Sequence, residues 1–126
     1  MKKSRLQECL EKKQMAFGLA VGWPTGGSIE AVGRNMDFVW IDGQHGLHDY
    51  RSLAECVRAC DLVGTSPVVR VPGHGAEWIG LALDLAPAGI IVPLVNSVEE
   101  ARAIVDAAKF APMGHRSYGG RRIYDL

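Results

Sequence analysis

Hydrophobic residues in this chain fall into short unbroken runs, which alternate with longer segments where apolar residues recur at helical spacing. Unbroken apolar runs bounded by glycine, proline or charged residues are typical of buried strands in a parallel sheet. The runs that we interpret as strands are Ala16–Val21, Phe38–Ile41, Pro67–Pro72 and Gly89–Pro93.

The segments between these runs have the spacing of amphipathic helices, with apolar residues three and four positions apart. The predicted helices are Ser4–Lys13, Ile29–Gly33, Tyr50–Leu62, Glu77–Leu85 and a last helix that follows Ser97 and ends at about Phe110. Short polar side chains precede three of them as candidate N-caps. These candidate caps are Ser28, Asp49 and Ser97.

Strands that alternate with helices predict an α/β fold with a parallel sheet. Two architectures fit: an open, flavodoxin-like sheet, in which Thr25–Ser28 would surround a phosphate, and four βα units of a (β/α)₈ barrel. A complete barrel needs eight units and about 250 residues, whereas this chain has 126 residues. We favour the half barrel because it uses the polar residues at the ends of the second and third strands.

Composition narrows the class of protein. Hydrophobic residues make up 48% of the chain, and 14 basic residues balance 14 acidic ones. A net charge near zero gives no electrostatic case for a nucleic-acid or anionic-membrane partner, and no apolar stretch approaches the ~20 residues of a membrane span. The N-terminus lacks the apolar core of a signal peptide, and the three cysteines have no paired-motif spacing. We therefore expect a cytoplasmic protein.

Candidate chemistry lies where the predicted strands end. Asp42, Gln44 and His45 follow the second strand, Arg70 lies in the third, and Asn96 follows the fourth. Because the carboxyl ends of parallel strands meet on one side of a sheet or barrel, we expect these side chains to converge.

Asp42 and His45 have the residue types of an acid–base pair, since a carboxylate orients an imidazole and raises its basicity. The structural alternative is that both residues only fix the turn. Arg70 has a fork that binds a carboxylate or phosphate, and its structural alternative is an ion pair with Asp42.

The remaining polar candidates carry weaker signals. His48, His74 and His115 are interpreted as solvated, capping or loop residues. The glycine- and arginine-rich segment 114–122 lacks the Lys-Ser/Thr ending and the following helix of a P-loop. We interpret this segment as an active-site loop or a subunit contact.

Four motifs in order resemble the HpcH/HpaI aldolase family along nearly the whole chain. They are Asp37–Gly46, Pro67–Pro72, Gly89–Ala101 and Pro112–Gly120. The resemblance implies a (β/α)₈ barrel, usually hexameric, that breaks or forms a carbon–carbon bond next to a pyruvate enolate with the help of Mg²⁺, Mn²⁺ or Co²⁺. It also implies a small-molecule 2-oxo acid and an aldehyde as partners.

Carried over to this sequence, the resemblance implies that His45 is the general base with Asp42 as its partner. Arg70 would hold the pyruvate carboxylate and stabilise the enolate oxygen. Gln44 stands where many members have Glu and is counted with Arg70 as substrate-binding, while Ala20 stands where some members have Trp. The metal ligands of the family, a Glu and an Asp, would lie beyond Leu126, so none is expected in this chain.

Residues 1–126 would then form one incomplete domain, the N-terminal half of the barrel. Such a half exposes two sheet edges and an apolar face, so we expect a homo-oligomer or a complementary C-terminal half as a further partner. The alternative function is a catalytically inactive half barrel that self-associates as a structural or binding module.

Overall fold

The computed structural model describes residues 3–119 and residue 122. Gly120 and Arg121, which belong to the predicted glycine- and arginine-rich loop, lie outside the described residues. The strands are β1 (Gly18–Val21), β2 (Phe38–Asp42), β3 (Ser66–Arg70) and β4 (Gly89–Ile91). The helices are α1 (Arg5–Glu11), α2 (Gly26–Val32), α3 (Tyr50–Val63), α4 (Ala76–Asp84) and α5 (Val98–Ala108), with a 3₁₀ turn at Gly33–Asn35.

All strand pairs in the sheet are parallel, and the spatial order β1-β2-β3-β4 is the order of the sequence. A doubly wound sheet reverses its strand order at a switch point, and this sheet has no such reversal among its described strands. Strands in sequence order, with helices against one face, are the arrangement of consecutive units of a (β/α)₈ barrel. The structure therefore confirms the half barrel and does not agree with the flavodoxin-like alternative.

The two faces of the sheet differ in burial. Alternate residues such as Val39, Ile41 and Val69 are fully buried, where they pack against α2, α3 and α4 in one hydrophobic core. We call this the outer face. Among the other alternate residues, Trp40 and Arg70 are only half-buried. We call theirs the inner face, because it would line the interior of a closed barrel.

Close packing on the inner face joins β1 to β2. Gly18 lies opposite Phe38 in the register of the two strands. A Cβ atom added at Gly18 would come within 2.3 Å of carbons of the Phe38 ring. The ring therefore occupies the space that a side chain at position 18 would need.

Capping explains most helix boundaries. The Asp49 carboxylate accepts the Ser52 backbone N–H at 2.7 Å at the start of α3, and the Ser97 hydroxyl accepts the Glu100 N–H at 3.1 Å at the start of α5. The prediction that Ser28 caps α2 is wrong. Thr25 is the cap, because its hydroxyl accepts the Ser28 backbone N–H at 3.3 Å and the helix begins at Gly26.

No helix in the described part of the chain has the length and hydrophobicity needed to cross a membrane.

Candidate active site

Asp42 and Arg70 form an ion pair at the carboxyl ends of β2 and β3. The two residues lie directly opposite each other in the parallel register. Arg70 donates from Nε to Asp42 Oδ1 at 2.8 Å and from Nη2 to Asp42 Oδ2 at 2.5 Å. Both side chains are 19% exposed, so this two-point contact is partly shielded from water, which strengthens it.

The loop after β2 is built around the Asp42 carboxylate. Asp42 Oδ1 also accepts the backbone N–H groups of Gln44 at 3.0 Å and of His45 at 3.2 Å. An aspartate that accepts backbone N–H groups two and three residues on stabilises a tight turn. The same carboxylate therefore fixes both the guanidinium of Arg70 and the backbone that carries His45.

Glycine is required on both sides of Gln44 and His45. A Cβ atom at Gly43 would lie 2.6 Å from the carbonyl oxygen of Arg70, and one at Gly46 would lie 2.1 Å from the carbonyl oxygen of Asp42. Gly43 N–H also donates to the Arg70 carbonyl oxygen at 2.8 Å. The loop can approach the strand ends this closely only because these positions carry no side chain.

Hydrogen bonds hold Asp42 in its charged form. The bond from the Arg70 side chain is the largest cause that lowers the pKa of Asp42 from 3.8 to about 2, and the N–H groups of His45 and Gln44 add to it against the opposing effect of burial. The same contact raises the pKa of Arg70. Asp42 is therefore a permanent acceptor near neutral pH rather than a proton carrier.

The geometry around His45 differs from the expected imidazole–carboxylate pair. His45 is exposed, and its link to Asp42 runs through its backbone N–H. Within the described part of the chain no group hydrogen-bonds to its ring. The Asp42 oxygens instead face the Arg70 fork, because the parallel register places that permanent charge directly opposite them.

Gln44, His45, Asp42 and Arg70 thus lie together at two adjacent strand ends. Asn96 donates its side-chain amide to the Leu94 carbonyl at 2.9 Å within its own loop, and no hydrogen bond among the described residues joins it to these four residues.

His48 and His115 each lie beside one polar side chain. His48 Nδ1 lies 3.4 Å from Ser52 Oγ at the start of α3, and His115 Nδ1 lies 2.8 Å from a carboxylate oxygen of Asp106.

In the last loop, the side chain of Arg116 donates to the Asp84 carboxylate at 2.7 Å. Asp84 ends α4, at the side of the sheet where strands begin, so the described part of this loop lies opposite the Asp42 site and does not serve it.

The described residues do not form a metal site. Among residues 3–119 and 122, no group of three or more His, Cys, Asp or Glu side chains is arranged to hold a metal ion. Both carboxylate oxygens of Asp42 are engaged by Arg70, which fits an ion-pair role better than metal ligation.

Trp40 makes a contact at this site that the sequence analysis did not single out. The Arg70 Cζ atom lies 4.9 Å from the centroid of the Trp40 ring. Trp40 precedes Asp42 by two residues on a strand, and this spacing places both side chains on one face. That spacing was the signal that could have revealed the contact.

The fold and the polar residues at the strand ends together define a class of protein. Consecutive parallel strands with helices on one face and polar residues at their carboxyl ends form part of a (β/α)₈ barrel. A model of the HpcH/HpaI aldolase/citrate lyase family matches residues 29–122. The chain therefore belongs to the HpcH/HpaI aldolase/citrate lyase family, which confirms the resemblance found in the sequence.

Curated relatives and a solved structure agree with this assignment. The 4-hydroxy-2-oxovalerate aldolase of Novosphingobium aromaticivorans is 38% identical over 110 residues, covering 86% of this chain and 42% of that protein. The hydroxypyruvate/pyruvate aldolase of Agrobacterium fabrum is 34% identical over 108 residues, covering 86% and 40%. The HpcH/HpaI aldolase from Desulfitobacterium hafniense DCB-2 superposes with a TM-score of 0.82 at 25% identity, covering 95% and 47%. The chain spans less than half the length of each.

Proposed function

We propose that this chain carries part of the active site of a metal-dependent aldolase, a carbon–carbon lyase that cleaves or forms 4-hydroxy-2-oxo acids through a pyruvate enolate. The observation that carries the proposal is the free edge of Arg70 beside His45. Membership of the aldolase family and the aldolase names of the relatives support the reaction class.

Arg70 has donors left for a substrate carboxylate. A guanidinium has five N–H groups, and Asp42 engages Nε and one hydrogen of Nη2. No acceptor among the described residues binds Nη1. The edge formed by Nη1 and the outer hydrogen of Nη2 can therefore bind a second carboxylate in two-point fashion, and we assign it to the carboxylate of the 2-oxo acid.

His45 is the proposed general base. In cleavage, His45 takes the proton of the C4 hydroxyl, the C3–C4 bond breaks, and its electron pair forms the enolate of pyruvate while the aldehyde leaves. Asp42 keeps His45 in register with Arg70 through the backbone turn. Gln44, between them, is proposed as a further substrate contact.

A divalent ion, Mg²⁺, Mn²⁺ or Co²⁺, would polarise the 2-oxo group when bound. The described residues do not form a site for it. Metal dependence is therefore proposed for the whole aldolase, with the ligands supplied by a complementary C-terminal half.

Uncovered apolar groups support such a partner. The side chain of Ile91 in the edge strand β4 is 39% exposed, and Leu94, just beyond it, is 69% exposed. On α5, Val98 and Val105 are 59% and 55% exposed along one side. These groups belong to the edge strand β4, the loop after it and the helix that follows, where a further βα unit or a second copy would cover them.

The test of function is pyruvate release. The chain, alone and with a co-expressed C-terminal half of the relative from Novosphingobium aromaticivorans, is incubated with Mn²⁺ and 4-hydroxy-2-oxovalerate, and pyruvate is measured with a coupled dehydrogenase. In the combined preparation we expect release that disappears with EDTA and falls about 100-fold or more in His45→Ala. His74→Ala, an exposed loop histidine, is the matched control and should retain activity.

Absence of pyruvate from both preparations, together with no binding of pyruvate to the chain, would contradict the proposal. The non-catalytic, self-associating half barrel would then be the better description.

A further inference from the structure

Trp40 and Arg70 are diagonal neighbours on the inner face. Trp40 lies two residues before Asp42 on β2, and Asp42 lies opposite Arg70 on β3. Diagonal pairs on one face of a sheet are close enough for aromatic and long side chains to touch. The 4.9 Å between Arg70 Cζ and the Trp40 ring centroid lies within the range of a cation–π contact.

The guanidinium of Arg70 is therefore restrained from two directions. The Asp42 carboxylate holds one edge of the group through Nε and Nη2. On another side, its Cζ atom lies over the Trp40 ring. An edge contact alone lets the planar group tilt about the line that joins it to the carboxylate, and the neighbouring indole ring limits that tilt.

These two contacts leave one part of Arg70 directed away from both partners. This part is the edge formed by Nη1 and the outer hydrogen of Nη2. A group held in the orientation in which it binds its ligand loses less conformational freedom on binding. A flat, charged fork gains more from this restraint than a flexible ammonium group, because its hydrogen bonds are fixed in one plane.

We propose that Trp40 is a positioning residue, whose indole holds the Arg70 guanidinium in the plane that serves both the Asp42 carboxylate and an incoming carboxylate. The second half of this statement rests on the proposed function, since it takes the 2-oxo acid as the ligand of Arg70. The first half concerns Asp42 alone and stands on the geometry of the three side chains.

A pure packing role makes a different prediction. Trp40 is half-buried and faces Ala20 and Val68 across the neighbouring strands. If it only filled this space, its replacement would lower stability and leave the titration of Asp42 unchanged. A positioning role changes that titration, because the Arg70 hydrogen bonds are the largest cause of its displacement.

The first experiment measures the titration of the Asp42 side-chain carboxyl by ¹³C NMR. In Trp40→Leu we expect the pKa of Asp42 to rise from about 2 toward its ordinary value of 3.8. Trp40→Met, which fills more of the volume without a ring, should show the same rise if Trp40→Leu does not fold. Trp40→Phe keeps an aromatic face and should restore most of the wild-type value.

Trp78→Leu is the matched control, because Trp78 lies on α4 against the other face of the sheet. It should leave the Asp42 titration unchanged. An unchanged titration in folded Trp40→Leu or Trp40→Met would overturn the proposal and leave Trp40 with a packing role.

The second experiment uses pyruvate as the probe, followed through the Arg70 side-chain N–H signals. We expect wild-type chain to bind pyruvate at Arg70, and Trp40→Leu to bind it about 5- to 10-fold more weakly, as loss of a partly buried cation–π contact predicts. Trp40→Phe should recover most of the affinity. Equal affinity in wild type and folded Trp40→Leu would overturn the role toward the ligand.

The two readouts separate this inference from the proposed function. If the pKa of Asp42 rises in Trp40→Leu but wild-type Arg70 shows no response to pyruvate, the positioning of Arg70 toward Asp42 is upheld. The assignment of the 2-oxo acid to Arg70 is then overturned.

Discussion

The outer and inner faces of the sheet are built from alternate residues of the same strands, yet one packs against helices and the other carries charged side chains. Val39 and Ile41 point outward from β2 and are fully buried against helices. Their neighbours Trp40 and Asp42 point inward, remain half-buried and contact Arg70. The outer face supplies the hydrophobic free energy of folding, and the inner face supplies the charged site.

Because side chains alternate along a strand, every second residue can serve the hydrophobic core while the residues between them form the charged site. A change on the outer face should act mainly on the free energy of unfolding. A change on the inner face should act mainly on the site or on association.

The largest expected effect is on the outer face. Ile41→Ala removes a fully buried side chain and should lower the free energy of unfolding by about 2–5 kcal/mol, measured by urea denaturation. Ile91→Ala on the inner face, where the side chain is already 39% exposed, should cost less than about 1 kcal/mol. Equal losses at the two positions would remove the distinction between the faces.

A second substitution tests the loop that follows β2 and carries Gln44 and His45. Gly46→Ala forces a Cβ atom toward the Asp42 carbonyl oxygen and should destabilise the chain by about 1–3 kcal/mol through overpacking. It should also displace the amide NMR signals of Gln44 and His45. Gly22→Ala is the control, since a Cβ atom there meets nothing within 4 Å. If Gly46→Ala changed neither the stability nor these amide signals, the loop would not depend on this close approach.

Acid titration tests the charged pair of the inner face. Because the pKa of Asp42 is lowered to about 2 in the folded chain and is near 3.8 otherwise, the pair stabilises the fold above about pH 4. That contribution is lost as the pH falls from about 4 to about 2. Its size should be about 1–2 kcal/mol, measured as the difference between wild type and Asp42→Asn in unfolding free energy at pH 6 and pH 2.5. A difference that stays constant between these pH values would contradict the ion pair.

The smallest effect on stability is expected where the inner face is uncovered. Ile91→Thr keeps a β-branched side chain in β4 and should change the free energy of unfolding by less than about 0.5 kcal/mol. Sedimentation velocity should show a shift toward monomer, whereas Leu62→Gln on the exposed side of α3 should not. A wild-type chain that is already a monodisperse monomer would refute association through this edge.

Much of the fold could be predicted from the sequence because its signals are local. The alternation of apolar runs with helical periodicity identified β2 and α3 within one residue of their observed ends. Thr25 and Ser28 illustrate the limit. Both are good caps, and only the helix start at Gly26 shows that Thr25 has this role.

The sequence singled out the residues at the strand ends and left two interpretations of Arg70 open, ligand binding or an ion pair with Asp42; the structure contains the ion pair and not the expected contact between the Asp42 and His45 side chains. Asp42 and His45 are close in sequence, which favoured a contact between their side chains. Arg70 is 28 residues from Asp42, and the strand register that brings them face to face is a tertiary property. The Trp40 contact was missed for the same reason, since it depends on which residue of β3 lies diagonally opposite.

The Phe38 ring over Gly18 has a consequence for protein engineering. Because the ring fills the volume that any side chain at position 18 would need, the two positions, 20 residues apart in sequence, form one size-complementary unit. A larger residue at position 18 therefore requires the Phe38 ring to turn away or position 38 to become smaller. A library meant to reshape the inner face should therefore vary these two positions jointly, because a change at Gly18 alone also displaces the Phe38 ring.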